Sequence, residues 1–291
     1  KELAKKILAV STSTAKGLRM TYDRSSDRET LKDRPTNKPG SREIVLAGLD
    51  IGSTKVSVVI GIVRATSTAF TGATANPILE FPNDLQLEVI GLGTAPSTGI
   101  RQGVVVNVEA TIEAIIKARE EAELMAGYSI HDVYIAVGGN HVKSFDSRGM
   151  IAIRNREVKQ DDISRVIEAA KAVAVPSDRQ VLHVLPREFK IDEQAGISDP
   201  AGMSGVRLEA NVHIITAGQT ALQNMIKCAD KAGLRVRGLV LQQLASSMAV
   251  LSEDERKLGV SVVDIGGGTS DIMTYVAGAV AHTATVPVGG A

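Results

Sequence analysis

Tryptophan is missing from these 291 residues, and phenylalanine and tyrosine number only four each. So thin an aromatic supply excludes a base-stacking surface for single-stranded nucleic acid. A formal net charge of zero removes the electrostatic case for a nucleic-acid partner. The single cysteine, Cys228, excludes an internal disulfide and fits a reducing cytoplasm. It reads as a small buried residue on a helix. No uncharged apolar run reaches the roughly 18 residues that a membrane span needs, and no secretory signal with a cleavage site is visible. His131, His141, His183, His213 and His282 are scattered without metal-ligand spacing. No Cys–His pair, Cys-x-x-Cys or Gly-x-Ser-x-Gly occurs. Gly-x-x-x-x-Gly-Lys-Ser/Thr and a helix-opening Gly-x-Gly-x-x-Gly are also missing, which sets aside P-loop and Rossmann solutions to nucleotide binding.

What is present is one short pattern, twice. Leu49-Asp50-Ile51-Gly52-Ser53-Thr54-Lys55-Val56 comes early, and Val263-Asp264-Ile265-Gly266-Gly267-Gly268-Thr269-Ser270-Asp271-Ile272 comes late. Each reads as strand, acidic residue, glycine turn with hydroxyls, strand. The flanking runs Ile44 to Leu49, Val56 to Val63, Val260 to Ile265 and Ile272 to Val276 have the Val/Ile content of strands. Glycine lets the main chain approach a ligand closely, and N–H groups in such a turn converge on anions. Ser53, Thr54 and Thr269 add hydroxyl donors, and Lys55 adds a cation. Asp50 and Asp264 stand at strand ends, where a carboxylate can hold Mg²⁺ directly or through water while phosphates supply other ligands. One such turn alone reads as an ordinary hairpin. Two of them suggest opposed phosphate loops in a two-lobed protein.

With 44% hydrophobic and 23% charged residues, the chain is ordinary globular protein, long enough for about two domains. Residues 1–43 carry 11 Lys/Arg against 6 Asp/Glu and read as a disordered basic tail. Its first ten residues place Leu3, Ile7 and Leu8 on one helical face, a pattern open to membrane contact or to a plain solvated linker. Residues 66–86, small and polar, read as a loop insertion before a strand from Leu87 to Leu92. Asn107 is an N-cap candidate for a helix carrying Ile112, Ile115, Ile116, Arg119 and Ala122, with Gly127 at its end and Glu120, Glu121 and Glu123 as a solvated face. A buried strand follows over Asp132 to Val137. Asp161 opens a helix with Ile163, Val166, Ile167 and Ala170 on one face. Val181 to Leu185 reads as a strand, Gly196 to Gly205 as a loop, and Val206 to Ile214 as a strand with one covered face. A helix from Thr220 to Ala232, a strand from Gly238 to Leu241 and a helix from Leu244 to Leu251 come next.

Paired Asp-Ile-Gly turns resemble the phosphate motifs of the actin, Hsp70 and sugar-kinase superfamily. Further stretches narrow the resemblance to the FtsA family of bacterial cell-division proteins. They include Gly99-Ile100-Arg101-Gln102-Gly103-Val104, Val133-Tyr134-Ile135-Ala136-Val137-Gly138-Gly139-Asn140-His141 and Val181-Leu182-His183-Val184-Leu185-Pro186-Arg187-Glu188-Phe189. Gly205-Val206-Arg207-Leu208 and Leu251-Ser252-Glu253-Asp254-Glu255-Arg256-Lys257-Leu258 continue it. The match runs from about Ile44 to the last residue and is weakest over 66–86. It implies an α/β fold: an actin-like, ribonuclease H-like nucleotide lobe with an inserted α/β subdomain and the start of a second lobe. The divisions it implies are 44–141 and 209–259 for the first lobe, 142–208 for the insertion and 260–291 for the second lobe.

The resemblance also implies ATP and Mg²⁺ as cofactors. Gly52, Ser53, Thr54 and Lys55 would lie on one side of the phosphates, with Gly266, Gly267, Gly268 and Thr269 on the other and Asp50 and Asp264 at the metal. Gln242 and Gln243 precede the helix that, in the superfamily, lies beside the phosphates. Gln243 is a candidate to orient a water towards the γ-phosphate, or merely a polar helix start. The implied partners are FtsZ, further copies in filaments and other division proteins through 142–208. The implied location is the cytoplasmic face of the cell membrane at the septum, reached through a C-terminal amphipathic helix. The chain begins at Lys1 and stops just after a strand, so it reads as an N-terminal fragment without that helix and without the adenosine-contacting motif. Two other classes stay open: an actin-like adaptor of a pilus or secretion system, and a small-molecule kinase, for which no catalytic carboxylate stands out.

Overall fold

The computed structural model describes residues 43–65, 85–172 and 175–291. Nearly all of the 1–43 tail and of the 66–86 insertion lies outside the described residues. Strands β1 (Glu43–Ile51), β2 (Lys55–Ala65) and β3 (Leu85–Pro96) lead to a small hairpin, β4 (Ile100–Arg101) and β5 (Val104–Val105), then to α1 (Val108–Ala126) and β6 (Asp132–Val137). The middle holds β7 (Val142–Ala152), α2 (Gln160–Lys171), β8 (Arg179–Ile191), β9 (Gln194–Ile197) and β10 (Arg207–Gly218). Then come α3 (Gln219–Lys231), β11 (Arg235–Leu241), α4 (Gln242–Val250) and α5 (Glu253–Leu258), and finally β12 (Val260–Ile265), β13 (Ser270–Val276) and β14 (Ala279–Val286).

Three main sheets result. The first has the order β11-β6-β1-β2-β3. Its strands β1, β2 and β3 form an antiparallel meander, and β1, β6 and β11 run parallel. Leu49, Val56, Val58, Ile60 and Ile135 are fully buried in it, as expected of strands covered on both faces. α1 lies across this sheet. The Asn107 side chain accepts from Ala110 N–H at 3.1 Å and starts the helix, and Gly127, in the left-handed region at φ 63°, ends it. Close approach of helix to strand depends on Gly93, where a Cβ would run into the backbone oxygen of Ala118. The acidic run on α1 is not simply solvated. Glu121 accepts from Thr94 N–H at 2.7 Å and Glu123 from Ile130 N–H at 2.8 Å, so two carboxylates close off backbone donors that side-chain periodicity cannot reveal.

The second sheet, β7-β10-β8-β9, is antiparallel. Ile163, Val166 and Ala170 of α2 cover one face against Leu208, Ala210, Val212 and Ile214. The other face of β10 is not open, as alternation suggested. Ile215 joins Leu185, Met273, Tyr275 and Leu244 in a second cluster, because the third sheet, β12-β13-β14, packs there. Residues 196 and 197, expected in a loop, belong to β9. The chain enters and leaves the second sheet at one place: Val142 pairs with Ala217, and Gly218 N–H donates to His141 O at 3.1 Å. Arg179 ties the crossing together, bonding the His141 carbonyl and both oxygens of Thr216. The helix expected from Leu244 starts two residues earlier, with Leu241 as N-cap. Among the described residues no helix is long and apolar enough to cross a membrane.

Candidate functional site

The two glycine turns share one layout. Ile51 pairs with Val56, and Ile265 with Ser270, so each hairpin closes on a four-residue turn. In the first, Gly52 N–H donates to Lys55 O at 3.0 Å. In the second, Gly266 N–H donates to Thr269 O at 2.8 Å. In both, the aspartate sits two residues before the first glycine, on the strand that enters the turn. The first hairpin is buried in its sheet, while the second packs through Asp271, Met273 and Tyr275 of β13 and leaves Val263 and Ile265 of β12 exposed.

These turns face each other across one cavity of about 390 Å³, a size suited to a small ligand. Asp50, Gly52, Ser53, Thr54 and Lys55 line one side, and Asp264, Gly266, Gly267, Gly268 and Thr269 the other; Gly103, Gly138 and Gln242 complete the wall. All ten residues singled out for phosphate and metal are thus brought together. The turns also touch. A Cβ on Gly268 would lie 2.8 Å from Ser53 Oγ, and one on Gly267 would collide with the Thr54 side chain. A larger residue at either position displaces the Ser53 or Thr54 side chain.

Asp50 is buried, and Asp264 Oδ2 accepts from Ser246 Oγ of α4 at 2.6 Å. Among the described residues no group of three or more His, Cys, Asp or Glu comes together. A pair of carboxylates facing hydroxyls and N–H groups is a sparse donor set of the sort Mg²⁺ uses when phosphates and waters complete its shell.

Gln243 is not at the cavity. Successive helix residues point about 100° apart, so with Gln242 on the cleft Gln243 faces away from it. The Gln242 side chain lies against Gly138. Gln243 is buried, and its amide donates to Asp271 Oδ1 at 2.8 Å.

Asp271 supports the site without lining the cavity and was passed over in the sequence, although it lies directly across the hairpin from Asp264. Thr285 Oγ1 donates to it at 2.6 Å and Thr269 Oγ1 at 3.3 Å. Burial raises its pKa; the Thr285 and Thr269 hydrogen bonds oppose that, the Asp264 charge adds to it and the Gly139 N–H opposes it. The signal was available: Asp271, Met273 and Tyr275 share the buried phase of β13, and an acid in that phase needs partners.

A family model described as the SHS2 domain inserted in FTSA matches residues 139–216, the stretch holding β7, α2, β8, β9 and most of β10. The cell division protein FtsA of Pseudomonas aeruginosa is 48% identical over 246 residues, 84% of this chain and 55% of the relative. That of Neisseria meningitidis serogroup B is 46% identical over 242 residues, 83% of this chain and 54% of the relative. The chain spans about half the length of the curated relatives it matches. Among solved structures, the PilM-PilN type IV pilus biogenesis complex matches with a TM-score of 0.51 at 15% identity, over 84% of this chain and 62% of that one. Likeness at that identity concerns fold alone. The fold is the actin-like α/β arrangement expected from the sequence.

Proposed function

The chain belongs to the FtsA family of cell-division proteins, and on that premise we propose that it binds ATP with Mg²⁺ between its two glycine turns and acts as an actin-like scaffold of bacterial division. One observation carries the reading: the same four-residue turn occurs twice, on opposite walls of a single cavity that both aspartates line. The donors fit the ligand. Gly52, Ser53, Thr54 and Lys55 hold phosphate oxygens from one side, and Gly266, Gly267, Gly268 and Thr269 from the other. Charge-assisted hydrogen bonds of this kind contribute roughly 1.5–3 kcal/mol each. Asp50 and Asp264 hold Mg²⁺, directly or through water. The ion, when bound, neutralises phosphate charge. Of the two glutamines, Gln242 is placed to orient a water, the task the sequence suggested for Gln243. Hydrolysis is at most weak, and recruitment is the main role.

The rest of the role follows from family membership. The protein tethers FtsZ to the cytoplasmic face of the cell membrane at the septum and self-associates into filaments. The lobes are 44–141 with 209–259, and 260 onwards. The insertion, 142–208, meets other division proteins. In the family the membrane contact belongs to a C-terminal amphipathic helix.

Titration calorimetry with Mg–ATP on the full-length wild type and its Asp264→Ala variant tests the cleft. Loss of about tenfold or more in affinity is expected, from one charged ligand removed; equal affinities would refute the assignment. Co-sedimentation with FtsZ polymers tests the partner. No pelleting above background would favour a pilus-type adaptor.

A further inference from the structure

The helix that carries Gln242 to the cavity is fixed from two sides. Leu241 caps α4 with its backbone alone and has no side-chain cap to offer. Its N–H instead donates to His183 Nε2 at 3.0 Å. His183 stands on β8, in the second sheet, and is buried. Burial pushes its pKa down to about 4, so at neutral pH the ring is uncharged and one ring nitrogen is free to accept. From the other side, Gln243 is held by Asp271, which also takes the hydroxyl of the cavity-lining Thr269. Gln242 lies between these two anchors. Neither anchor touches the cavity, so neither acts on a ligand directly.

We propose that His183 is a positioning residue for the cleft: by holding Leu241 N–H it fixes the first turn of α4, and with it the Gln242 side chain beside the phosphates. This rests on the nucleotide reading of the cavity. It gives the second sheet a defined handle on the site, since the residue that sets Gln242 belongs to that sheet and not to the lobe that lines the cavity.

Three substitutions at His183, and one at Gln242, test it. His183→Phe keeps the ring and removes the acceptor. His183→Gln carries an amide oxygen about as far out as Nε2, and His183→Asn falls short of it. In the ligand-free protein, hydrogen exchange at the Leu241 amide, and at Ala245 and Ser246, the first to bond within α4, should speed up about tenfold in His183→Phe and return to the wild-type rate in His183→Gln. Unchanged protection in a folded His183→Phe overturns the proposal. If His183→Phe does not fold, His183→Asn takes its place with the same expectation. With Mg–ATP, His183→Phe should bind about tenfold more weakly than wild type, and should add less than about twofold on a Gln242→Ala background. Full additivity of the two substitutions overturns the proposal, because His183 would then act by a route other than Gln242. Failure of the full-length wild type to bind Mg–ATP refutes the cleft reading instead, and hydrogen exchange still decides the positioning role.

Discussion

Acidification should destabilise this protein in a way that one buried ring dominates. His183 is neutral in the fold because burial lowers its pKa from 6.5 to about 4. The unfolded chain takes up a proton near 6.5, the folded chain only near 4. Stability from this ring is therefore complete above about pH 6.5 and is lost as the pH falls towards 4. At about 1.4 kcal/mol per pH unit the loss is about 3 kcal/mol. That is a large part of the roughly 5–15 kcal/mol that holds a typical domain. His141, also lowered to about 4 by burial and by the Arg179 charge, adds in the same direction. Asp271, raised by burial, works the other way: its desolvation is relieved on protonation. The quantity to measure is therefore a difference. Urea unfolding followed by circular dichroism, at several pH values between about 7.5 and 4, should give a stability gap between wild type and His183→Gln that narrows by about 3 kcal/mol at the acid end. The other titrating groups cancel in that gap. A gap independent of pH would refute the reasoning.

Gly267→Ala should force the second turn off Thr54 and weaken Mg–ATP binding by about tenfold. Adding Thr54→Ser, which deletes the methyl group nearest the new Cβ, should restore most of it; calorimetry that finds no rescue removes the contact as the cause. Asn107→Ala should cost about 1 kcal/mol through the lost α1 cap, visible as a lower urea midpoint at unchanged slope. A variant as stable as wild type would mean that the Ala110 N–H finds another partner.

Several elements are legible in the sequence for reasons the structure makes plain. β6 is a short Val/Ile strand between turn signals, and α1 is bracketed by Asn107 and Gly127. The two glycine turns declare themselves because glycine, hydroxyl and acid stand together between apolar strands. β7 is harder. Its face away from α2 presents Ser144, which donates to Thr283 O of the third sheet, and Asp146, which pairs with His213 on the neighbouring strand. A polar face satisfied by distant partners leaves no hydrophobic period to read. The same holds for Glu121 and Glu123, whose partners are backbone groups elsewhere in the lobe. The choice between Gln242 and Gln243 turns on which way the first turn of α4 faces. Helix ends are set by capping and by neighbours such as His183, which local sequence does not contain.

The paired crossing at His141, Val142, Ala217 and Gly218 has a topological consequence. Because the second sheet departs and returns at adjacent points, the order of the five-stranded sheet is the same whether or not the intervening chain is there. The segment is a cassette: a different module with neighbouring ends can occupy the slot without rethreading the lobe. Such a replacement must still supply an acceptor for Leu241 N–H and apolar cover for Met273 and Tyr275.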